Sequence, residues 1–220
     1  MTSFLTTLHQ DAIMTKHPLP IPLHDFPCPL ITPRLFLRSP QPSDGAALHS
    51  AAIESKKEFD AFMPWAWETN ATQENSELFA CQAATNWIVK KNEEPWFQYL
   101  IIEKKTQQVV GICSLHTIDW DVPCFEIGYW LRTSKTGLGF MAEAVNALTR
   151  YAFDELYAQR IEIRCDKINQ KSQGVPLRLG YQLEATLVSN RILPLTGQLS
   201  DTLIFVRHDA SDLPTLTVYR

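Results

Sequence analysis

Two glycines, Gly137 and Gly139, lie where an apolar run passes into an amphipathic stretch, and this arrangement favours phosphate binding. The run from Cys124 to Leu131 predicts a strand, and the stretch from Phe140 to Leu156 predicts a helix. Glycine adopts backbone angles that are closed to other residues, and it lets a ligand approach the main chain. The free N–H groups at the start of the following helix attract negative charge. We therefore predict a ligand that carries a phosphate or pyrophosphate.

The same glycines raise a dinucleotide-binding alternative, because residues 137–142 read G-x-G-x-x-A. Acidic residues follow on the next predicted strand, at Glu162 and Asp166. In a dinucleotide fold the first glycine directly follows the first strand, whereas residues 132–136 intervene here. A doubly wound sheet also needs more strand–helix–strand units than the chain has left after Asp166. The surroundings of the loop therefore disfavour a dinucleotide.

The composition favours one globular domain that binds neither nucleic acid nor membrane. The 220 residues are 45% hydrophobic, which is enough for a substantial core. The net charge of -4 and the pI near 5.9 argue against the basic surface of a nucleic-acid binder. The chain has no apolar run of membrane-spanning length and no signal-peptide pattern at its start. Five widely spaced cysteines without a C-x-x-C pair indicate a reducing compartment, so we predict a soluble cytoplasmic protein.

Proline density sets the predicted domain boundaries. Eight of the 14 prolines fall between Pro18 and Pro42, where fixed backbone angles and missing N–H groups disfavour helix interiors and central strands. We predict an N-terminal arm or tether over residues 1–29, one domain over residues 30–210 and a tail over residues 211–220. The oligomeric state stays open, with a homodimer among the alternatives.

Seven runs rich in apolar and aromatic residues predict a mixed sheet. They are Leu35–Arg38, Trp96–Glu103, Val109–His116, Cys124–Leu131, Arg160–Cys165, Tyr181–Val188 and Thr202–Arg207. Polar turns separate the second, third and fourth runs, as in an antiparallel meander. The helix from Phe140 to Leu156 joins the fourth and fifth runs, as in a right-handed crossover between parallel strands. The last two runs predict a closing hairpin.

Capping patterns predict the flanking helices. Pro42-Ser43-Asp44 predicts a polar helix start, and residues 72–91 predict a helix whose basic end is Lys90-Lys91. Gly180 is the predicted C-cap of a short helix. The predicted fold class is α/β, of the α+β type. It has a mixed, mostly antiparallel sheet of about seven strands, a central β-α-β crossover and flanking helices.

A set of motifs follows in a definite order along the chain. They are Thr32–Arg38, Phe62–Trp65, Glu126–Leu131, Arg160–Asp166, Asn169 with Ser172, and Leu179–Tyr181 with Leu183 and Glu184. With the glycine loop, they resemble the GNAT superfamily of acyl-CoA-dependent N-acetyltransferases, and within it the branch that acetylates ribosomal-protein N-termini. The resemblance covers most of the chain. It implies a GNAT-like fold, acetyl-CoA (coenzyme A) as the cofactor, and a protein N-terminus or a small amine as the acceptor.

The resemblance also implies where the cofactor binds. The acyl-pantetheine would lie between splayed fourth and fifth strands, along Leu131 and Arg132, with Asn169 hydrogen-bonded to its amides. A main-chain N–H of the fourth strand would stabilise the oxyanion. The pyrophosphate would lie on the loop residues Thr136, Gly137, Leu138, Gly139, Phe140 and Met141.

Two places depart from the family pattern. The family loop is usually written Q/R-x-x-G-x-G/A, and Thr136 and Met141 occupy its first and last positions here. Because main-chain N–H groups hold the pyrophosphate, such changes should alter affinity more than abolish binding. Gly174 and Pro176 disfavour the helix expected after Asn169. These departures motivate an alternative of another class, a non-catalytic acyl-CoA-binding or interaction protein.

The chemistry implied by the resemblance needs a base and an acid. Glu126 would accept the proton of the amine, directly or through water, and Ser172 would protonate the thiolate, with Tyr181 in reserve. Without the resemblance, Glu126 is a solvent-facing carboxylate or the partner of a neighbour such as Arg164. Ser172 is then a helix N-cap, Asn169 a turn residue and Tyr181 a core aromatic.

The acceptor side is less defined by the residues. Trp65 and Trp67 are predicted either to wall an acceptor groove or to form a satellite hydrophobic cluster. Cys113, His116 and Cys124 have no fourth ligand at metal-site spacing, so we predict no metal. The predicted activity is N-acetyl transfer by direct attack in a ternary complex. The first acceptor class is a protein N-terminal α-amine, and the second is a small-molecule amine such as a polyamine, an amino acid or an antibiotic.

Overall fold

Residues 29–89 and 96–220 are described by the computed structural model. All of the predicted arm except Pro29 lies outside the described residues, and so do Lys90 and Lys91 of the predicted helix end. Within the described ranges, no helix is both long and apolar enough to span a bilayer.

The centre of the structure is one eight-stranded sheet. Its strands are β1 (Leu30–Ile31), β2 (Leu35–Arg38), β3 (Phe97–Glu103), β4 (Val109–Asp119), β5 (Cys124–Leu131), β6 (Arg160–Asp166), β7 (Gln182–Ile192) and β8 (Leu199–Arg207). The order across the sheet is β1-β2-β3-β4-β5-β6-β8-β7. Neighbours are antiparallel except β5 and β6, which are parallel. The predicted fold class is confirmed: all seven predicted strands are present, and the two-residue β1 is additional.

Six helices flank the sheet in the described ranges. They are α1 (Gly45–Glu54), α2 (Lys56–Phe62), α3 (Pro64–Glu68), α4 (Gln73–Val89), α5 (Phe140–Asp154) and α6 (Gln170–Arg178), with short 3-10 helices at Pro42–Asp44 and Thr133–Lys135. α5 is the predicted crossover between the parallel strands. The sequence predicted a polar helix start at Asp44, but the Asp44 side chain does not cap α1. Its carboxylate accepts hydrogen bonds from the Arg38 guanidinium at 2.7 Å and from the Gln41 N–H at 2.6 Å.

Alternation along the strands divides the sheet into two faces. Leu100, Ile112 and Trp130 belong to the core that packs against α1–α3, and we call this side the front face. Odd-numbered neighbours such as Leu115 and Ile127 belong to the core on the opposite side, which includes the apolar residues of α5. Side chains at even positions of β3, of β5 and of residues 112–116 in β4 therefore point to the front face. At the start of β4 a register shift reverses this order, so Val109 belongs to the front core and Val110 to the opposite one.

Parallel pairing between β5 and β6 is short. Cys124, Phe125 and Glu126 pair with Arg160, Ile161 and Glu162, and no further positions of the two strands are paired. β5 nevertheless continues to Leu131, and β6 continues to Asp166. The strands therefore diverge beyond Glu126, and we call the opening between them the β5–β6 cleft.

The predicted tail, residues 211–220, lies against the domain. Leu213 is buried in the core, and the main chains of Tyr219 and Ile31 exchange two hydrogen bonds of 2.8 Å. Arg150 of α5 donates to the carbonyls of Leu213 and Pro214, at 3.1 Å each. The domain boundaries themselves stay predictions.

Gly111 offers a test of the close contact between β4 and β5. A Cβ atom at this position would lie 2.3 Å from the main-chain oxygen of Trp130 and 3.0 Å from the Cα of Leu131. Because main-chain atoms cannot move aside, we expect Gly111→Ala to lower the free energy of unfolding by about 1–3 kcal/mol, as overpacking does. Urea denaturation followed by circular dichroism measures the change.

Gly174 provides the matched control for this substitution. A Cβ atom there meets only the movable end of the Arg178 side chain, at 3.1 Å, and alanine is favoured over glycine in a helix by about 1 kcal/mol. Gly174→Ala should therefore leave stability unchanged or raise it. Equal destabilisation by both variants would contradict the close approach at Gly111.

Candidate active site

A cavity of about 1070 Å³ lies on the front face and includes the β5–β6 cleft. Its walls come from α2, α3, α6, the middle strands and the glycine loop. Nine of the predicted site residues line it, namely Trp65, Glu126, Leu131, Thr136, Gly137, Gly139, Met141, Asn169 and Ser172. Five predicted residues, Trp67, Arg132, Leu138, Phe140 and Tyr181, lie elsewhere.

The glycine loop has the geometry of an anion site. Gly137 and Gly139 have φ angles of 78° and 77°, in the left-handed region that side chains disfavour. Gly139 directly precedes α5, and no side chain caps the helix at this residue. The N–H groups of the first turn of α5 therefore face the cavity end without a side-chain cap, where the helix dipole also favours negative charge.

Arg34, just before β2, holds this loop from behind. Its Nε lies 2.5 Å from Glu143 in the first turn of α5, one of its terminal nitrogens donates to the Leu138 carbonyl at 2.9 Å, and its guanidinium stacks 4.6 Å from the centre of the Phe140 ring. Thr32 donates to the other Glu143 oxygen at 2.6 Å. A carboxylate at a helix N-terminus competes with a phosphate for the same positive field, and Arg34 neutralises it.

These contacts correct two predicted cofactor residues. The Leu138 side chain is exposed to solvent, and the Phe140 ring is buried beneath the Arg34 guanidinium. Neither residue is among those that line the cavity, so the side chains of both support the loop, while Gly137 and Gly139 lie in the cavity wall.

Arg132 also differs from its predicted place along the pantetheine, because its polar groups bind residues away from the cavity. Its main-chain N–H donates to the Val110 carbonyl at 2.7 Å. Its guanidinium forms an ion pair of 2.9 Å with Glu54 and a hydrogen bond of 2.7 Å to Ser50. Arg132 thus ties the end of β5 to α1.

The same main-chain bond shows which groups of β5 face the cleft. In an antiparallel pair, alternate residues direct their N–H groups to the partner strand. Since the Arg132 N–H bonds to β4, the N–H groups of the even-numbered residues of β5 do so too. The N–H groups of Ile127, Tyr129 and Leu131 therefore point toward the β5–β6 cleft, where pairing has ended.

Glu126 lies at the base of the cleft, at the last paired position of β5. Burial raises the pKa of its carboxyl, while the Arg164 guanidinium at 3.5 Å opposes the shift and the neighbouring Glu162 adds to it. A carboxylate with a raised pKa is a better proton acceptor than an ordinary glutamate. Glu126 therefore lines the cavity and also pairs with Arg164, as one of the sequence alternatives had it, and its role as the base stays a prediction.

His116 pairs with Glu126 across β4 and β5 and also lines the cavity. Burial, with the Arg164 charge as a smaller cause, lowers the pKa of His116 to about 4, so the imidazole is neutral at pH 7. Gly128 makes room for this ring, because a Cβ atom there would lie 2.6 Å from His116 Nε2.

Asn169 begins α6 as its N-cap, accepting the Ser172 N–H at 3.1 Å. Ser172 is therefore not the cap. Its hydroxyl lies 3.4 Å from the Tyr129 hydroxyl, in the wall of the same cavity as Glu126. Asn169 and Ser172 thus form one turn that faces β5.

Pro176 explains how Tyr129 is held beside Ser172. Proline has no N–H, so the Ser172 carbonyl, four residues earlier, lacks its usual helical donor. The Tyr129 hydroxyl donates to that carbonyl at 2.9 Å. The proline that departs from the family pattern therefore leaves a carbonyl to which β5 binds α6. Burial raises the pKa of Tyr129, which keeps its hydroxyl protonated.

Two further predicted residues lie away from the cavity. Tyr181 is buried, and its hydroxyl lies 2.7 Å from Thr149 Oγ1. It is thus the core aromatic that the sequence offered as its alternative, and the tyrosine hydroxyl beside Ser172 is that of Tyr129. Trp67 packs against the front core, with the Lys56 ammonium 4.9 Å from its ring. Trp65 alone of the two tryptophans lines the cavity.

Tyr129, His116 and Gln98 line the cavity but were missed as site residues from sequence. A signal for two of them was present: Gln98 and His116 are polar residues at front-facing positions of strands that are otherwise apolar. Tyr129 carried no such signal, because its role depends on α6, which lies more than forty residues later.

The cavity thus brings together parts suited to group transfer. The Glu126 carboxylate lies at the base of the cleft, and unpaired main-chain N–H groups of β5 line it. The neighbouring hydroxyl groups of Ser172 and Tyr129 and the start of α5, which has no side-chain cap, belong to the same cavity.

Comparison with known proteins gives a consistent result. A family model described as an acetyltransferase (GNAT) domain matches residues 34–182. An uncharacterized N-acetyltransferase p20 of Bacillus licheniformis is 37% identical over 108 residues, 49% of this chain and 60% of that protein. The ribosomal-protein-serine acetyltransferase of Escherichia coli K12 is 34% identical over 83 residues, 38% of this chain and 46% of that protein. The chain spans less than two thirds of these curated relatives.

Two solved structures are similar over most of their length. The ribosomal L7/L12 α-N-protein acetyltransferase RimL, in complex with coenzyme A, is 26% identical with a TM-score of 0.69, covering 82% of this chain and 97% of that one. The microcin C7 self-immunity acetyltransferase MccE, in complex with acetyl-CoA and AMP, is 25% identical with a TM-score of 0.70, covering 88% and 98%.

The Arg34–Glu143 contact predicts an indirect effect on phosphate binding. Arg34→Met leaves the Glu143 carboxylate uncompensated at the start of α5, so we expect the affinity for coenzyme A to fall about three- to tenfold, the range for a charge near a helix end. Glu143→Gln in the same chain should restore most of that affinity. Isothermal titration calorimetry measures both changes. An affinity that Glu143→Gln leaves low would show that Arg34 contacts the ligand itself.

The Tyr129–Ser172 bond predicts a coupling with Pro176. Tyr129→Phe removes the donor to the Ser172 carbonyl and should lower the free energy of unfolding by about 1 kcal/mol. Pro176→Ala supplies a helical N–H to the same carbonyl, so Tyr129→Phe should cost less in that background. A double-mutant cycle by urea denaturation measures the coupling. Additive effects would contradict this account of the proline.

Proposed function

Because the chain belongs to the GNAT acetyltransferase family, we propose that it transfers an acetyl group from acetyl-CoA to a primary amine, with a protein N-terminal α-amine as the first acceptor class. The observation that carries the proposal is the β5–β6 cleft, which has Glu126 at its base and the glycine loop beside its open end. A thioester held in this cleft lies between the base and the hydroxyl groups of Ser172 and Tyr129.

Binding of acetyl-CoA would use the main chain more than side chains. The pyrophosphate fits the glycine loop and the first turn of α5, as at other helix N-termini. The pantetheine amides fit the unpaired N–H and C=O groups of β5 at Ile127, Tyr129 and Leu131, which replace the missing pairs with β6. Thr136 and Met141 line this region without supplying charge, so their departure from the family loop is compatible with binding.

The transfer then follows from the groups around the cleft. Glu126 accepts a proton from the acceptor ammonium, directly or through water, and the neutral amine nitrogen attacks the thioester carbon. A main-chain N–H of β5 stabilises the oxyanion. The carbon–sulfur bond breaks as the amide forms, and Ser172, next to the Tyr129 hydroxyl, gives a proton to the thiolate. The second proton that the nitrogen loses as it becomes the amide restores the Ser172 hydroxyl, directly or through water. The products are the acetylated amine and coenzyme A.

Direct attack is favoured over an acetylated cysteine. Cys165 lines the cavity, but burial raises the pKa of its thiol to about 11, so it carries little thiolate at neutral pH. The thiolate is the form that attacks carbonyl groups. A ternary complex of protein, acetyl-CoA and amine is therefore the supported order.

The acceptor class is supported by chemistry and by similarity. An α-amine has a reference pKa of about 8, against about 10.4 for lysine, so a carboxylate base suffices for a protein N-terminus. The similarity to RimL and to the ribosomal-protein-serine acetyltransferase favours this class. The similarity to MccE supports a small-molecule amine as the second candidate.

Glu126→Gln tests the proposed base. We expect kcat to fall about 10²- to 10⁴-fold, as for loss of a general base, while coenzyme A affinity stays unchanged. The base acts when deprotonated, so wild-type kcat/KM should fall as the pH drops through the pKa of Glu126, which burial raises above that of an ordinary glutamate. That fall should be absent from Glu126→Gln. Thiol release in the presence of an amine panel measures the rates.

Glu162→Gln is the matched control, because Glu162 is the paired neighbour of Glu126 on β6 and also binds Arg164. It should keep most of the wild-type rate. A Glu126→Gln variant as active as this control would exclude Glu126 as the base. A wild type that binds acetyl-CoA but is as inert toward every amine as Glu126→Gln and Ser172→Ala would favour the non-catalytic alternative.

A further inference from the structure

Gln98 on β3 presents a polar atom to the cavity that acetyl transfer does not use. The residue is 3% exposed and lines the cavity, and its Oε1 has no hydrogen-bond partner among the residues that the structure describes. A buried polar atom without a partner costs about 1–3 kcal/mol, which proteins rarely tolerate in a core. An unpaired acceptor at the floor of a ligand cavity is the group that a bound donor would satisfy.

Trp96 supplies the complementary group two residues earlier. Its indole Nε1, which can only donate, is buried without a partner in the described part of the chain, and the residue also lines the cavity. Its ring is held against Trp65 and His116, with ring centres 5.9 Å and 6.1 Å apart. The cavity wall therefore holds one unused acceptor, on Gln98 of β3, and one unused donor, on Trp96 just before β3.

This pair matches the chemistry of a peptide main chain. Each residue of an acceptor peptide carries an N–H that can donate to Gln98 and a carbonyl that can accept from Trp96. A polyamine carries donors but no acceptor, so it can satisfy Gln98 and not Trp96. The two residues therefore favour a polypeptide over a simple amine.

The sheet register sets the distance of this pair from the chemistry. Gln98 pairs with Ser114 on β4, and Ser114 pairs with Gly128 on β5. Two strand spacings, about 10 Å, thus separate Gln98 from the strand that carries Glu126. An extended chain advances about 3.4 Å per residue, so about three steps separate the reacting residue from Gln98, and an acceptor that runs across the sheet from Glu126 reaches Gln98 near its fourth residue.

We propose that Gln98 and Trp96 bind the main chain of a peptide acceptor near its fourth residue and thereby select polypeptide N-termini over compact amines. The inference rests on the proposed acetyl transfer. Both residues bind the acceptor at a distance from the reacting atoms, so they determine specificity and take no part in proton transfer.

Substrates with single atoms changed test the Gln98 contact. Tetra-alanine amide is compared with three analogues in which an ester oxygen replaces the N–H of residue 2, 3 or 4. In the wild type we expect the ester at residue 4 to lower kcat/KM about three- to tenfold, the effect of one hydrogen bond. Gln98→Met keeps the side-chain length without the carboxamide, so its kcat/KM should not depend on that ester.

Two further variants complete the design. Gln82→Met, at an exposed position of α4, is the matched control and should keep both the wild-type rate and the wild-type ester effect. Trp96→Phe removes the indole donor and should lower kcat/KM for the peptide while leaving glycinamide unchanged, because a single residue does not reach β3. Calorimetry with coenzyme A checks that each variant retains a folded cofactor site.

The outcomes separate this inference from the proposed function. An ester effect that is absent from the wild type at every position, or that Gln98→Met retains, overturns the inference while acetyl transfer stands. If the protein binds acetyl-CoA and acetylates nothing, acetyl transfer fails. Calorimetry with the same four peptides and the coenzyme-loaded protein then decides the inference. An ester that lowers the affinity of the wild type but not that of Gln98→Met supports the inference, and equal or absent binding by the two proteins overturns it.

Discussion

The parallel pairing of β5 with β6 ends at Glu126, and the rest of the site depends on this interruption. Main-chain N–H and C=O groups beyond that point have lost their strand partners, and buried groups of this kind need others. A ligand with its own amides can supply them, which is why the cleft suits pantetheine. The last paired position also places Glu126 where the cleft begins, so the proposed base and the unpaired main-chain groups come from one feature of the sheet.

Several contacts hold the surroundings of the cleft in place through polar groups that need partners. Arg34 neutralises the Glu143 carboxylate, which leaves the N-terminus of α5 free for an anion. Tyr129 donates a hydrogen bond to the Ser172 carbonyl, for which Pro176 has no N–H, and this contact holds α6 against β5. Gln98 is different, because its oxygen is buried and without a partner among the described residues, so it marks the part of the cavity that a ligand must complete.

Electrostatics inside the cavity favour neutral nitrogen and protonated oxygen groups. Burial raises the pKa values of Glu126 and Tyr129 and lowers that of His116, because each charged form loses hydration. Arg164 opposes the shift at Glu126 by direct attraction and adds to the shift at His116 by repulsion. One guanidinium therefore keeps the carboxylate available as a base while the neighbouring imidazole stays uncharged.

Local patterns determined the elements: strand alternation, the glycines before α5 and the position of Glu126 were all predictable from neighbouring residues. The structure decided contacts between distant residues. Tyr181, predicted near the chemistry, lies in the core, while Tyr129 meets Ser172 because Pro176 leaves that carbonyl open. The position of Gln98 opposite Ser114 and Gly128 depends on the register of three strands, which no single strand specifies. Periodicity is encoded within a few residues, whereas partners depend on how separate segments pack, and only the folded chain defines that packing.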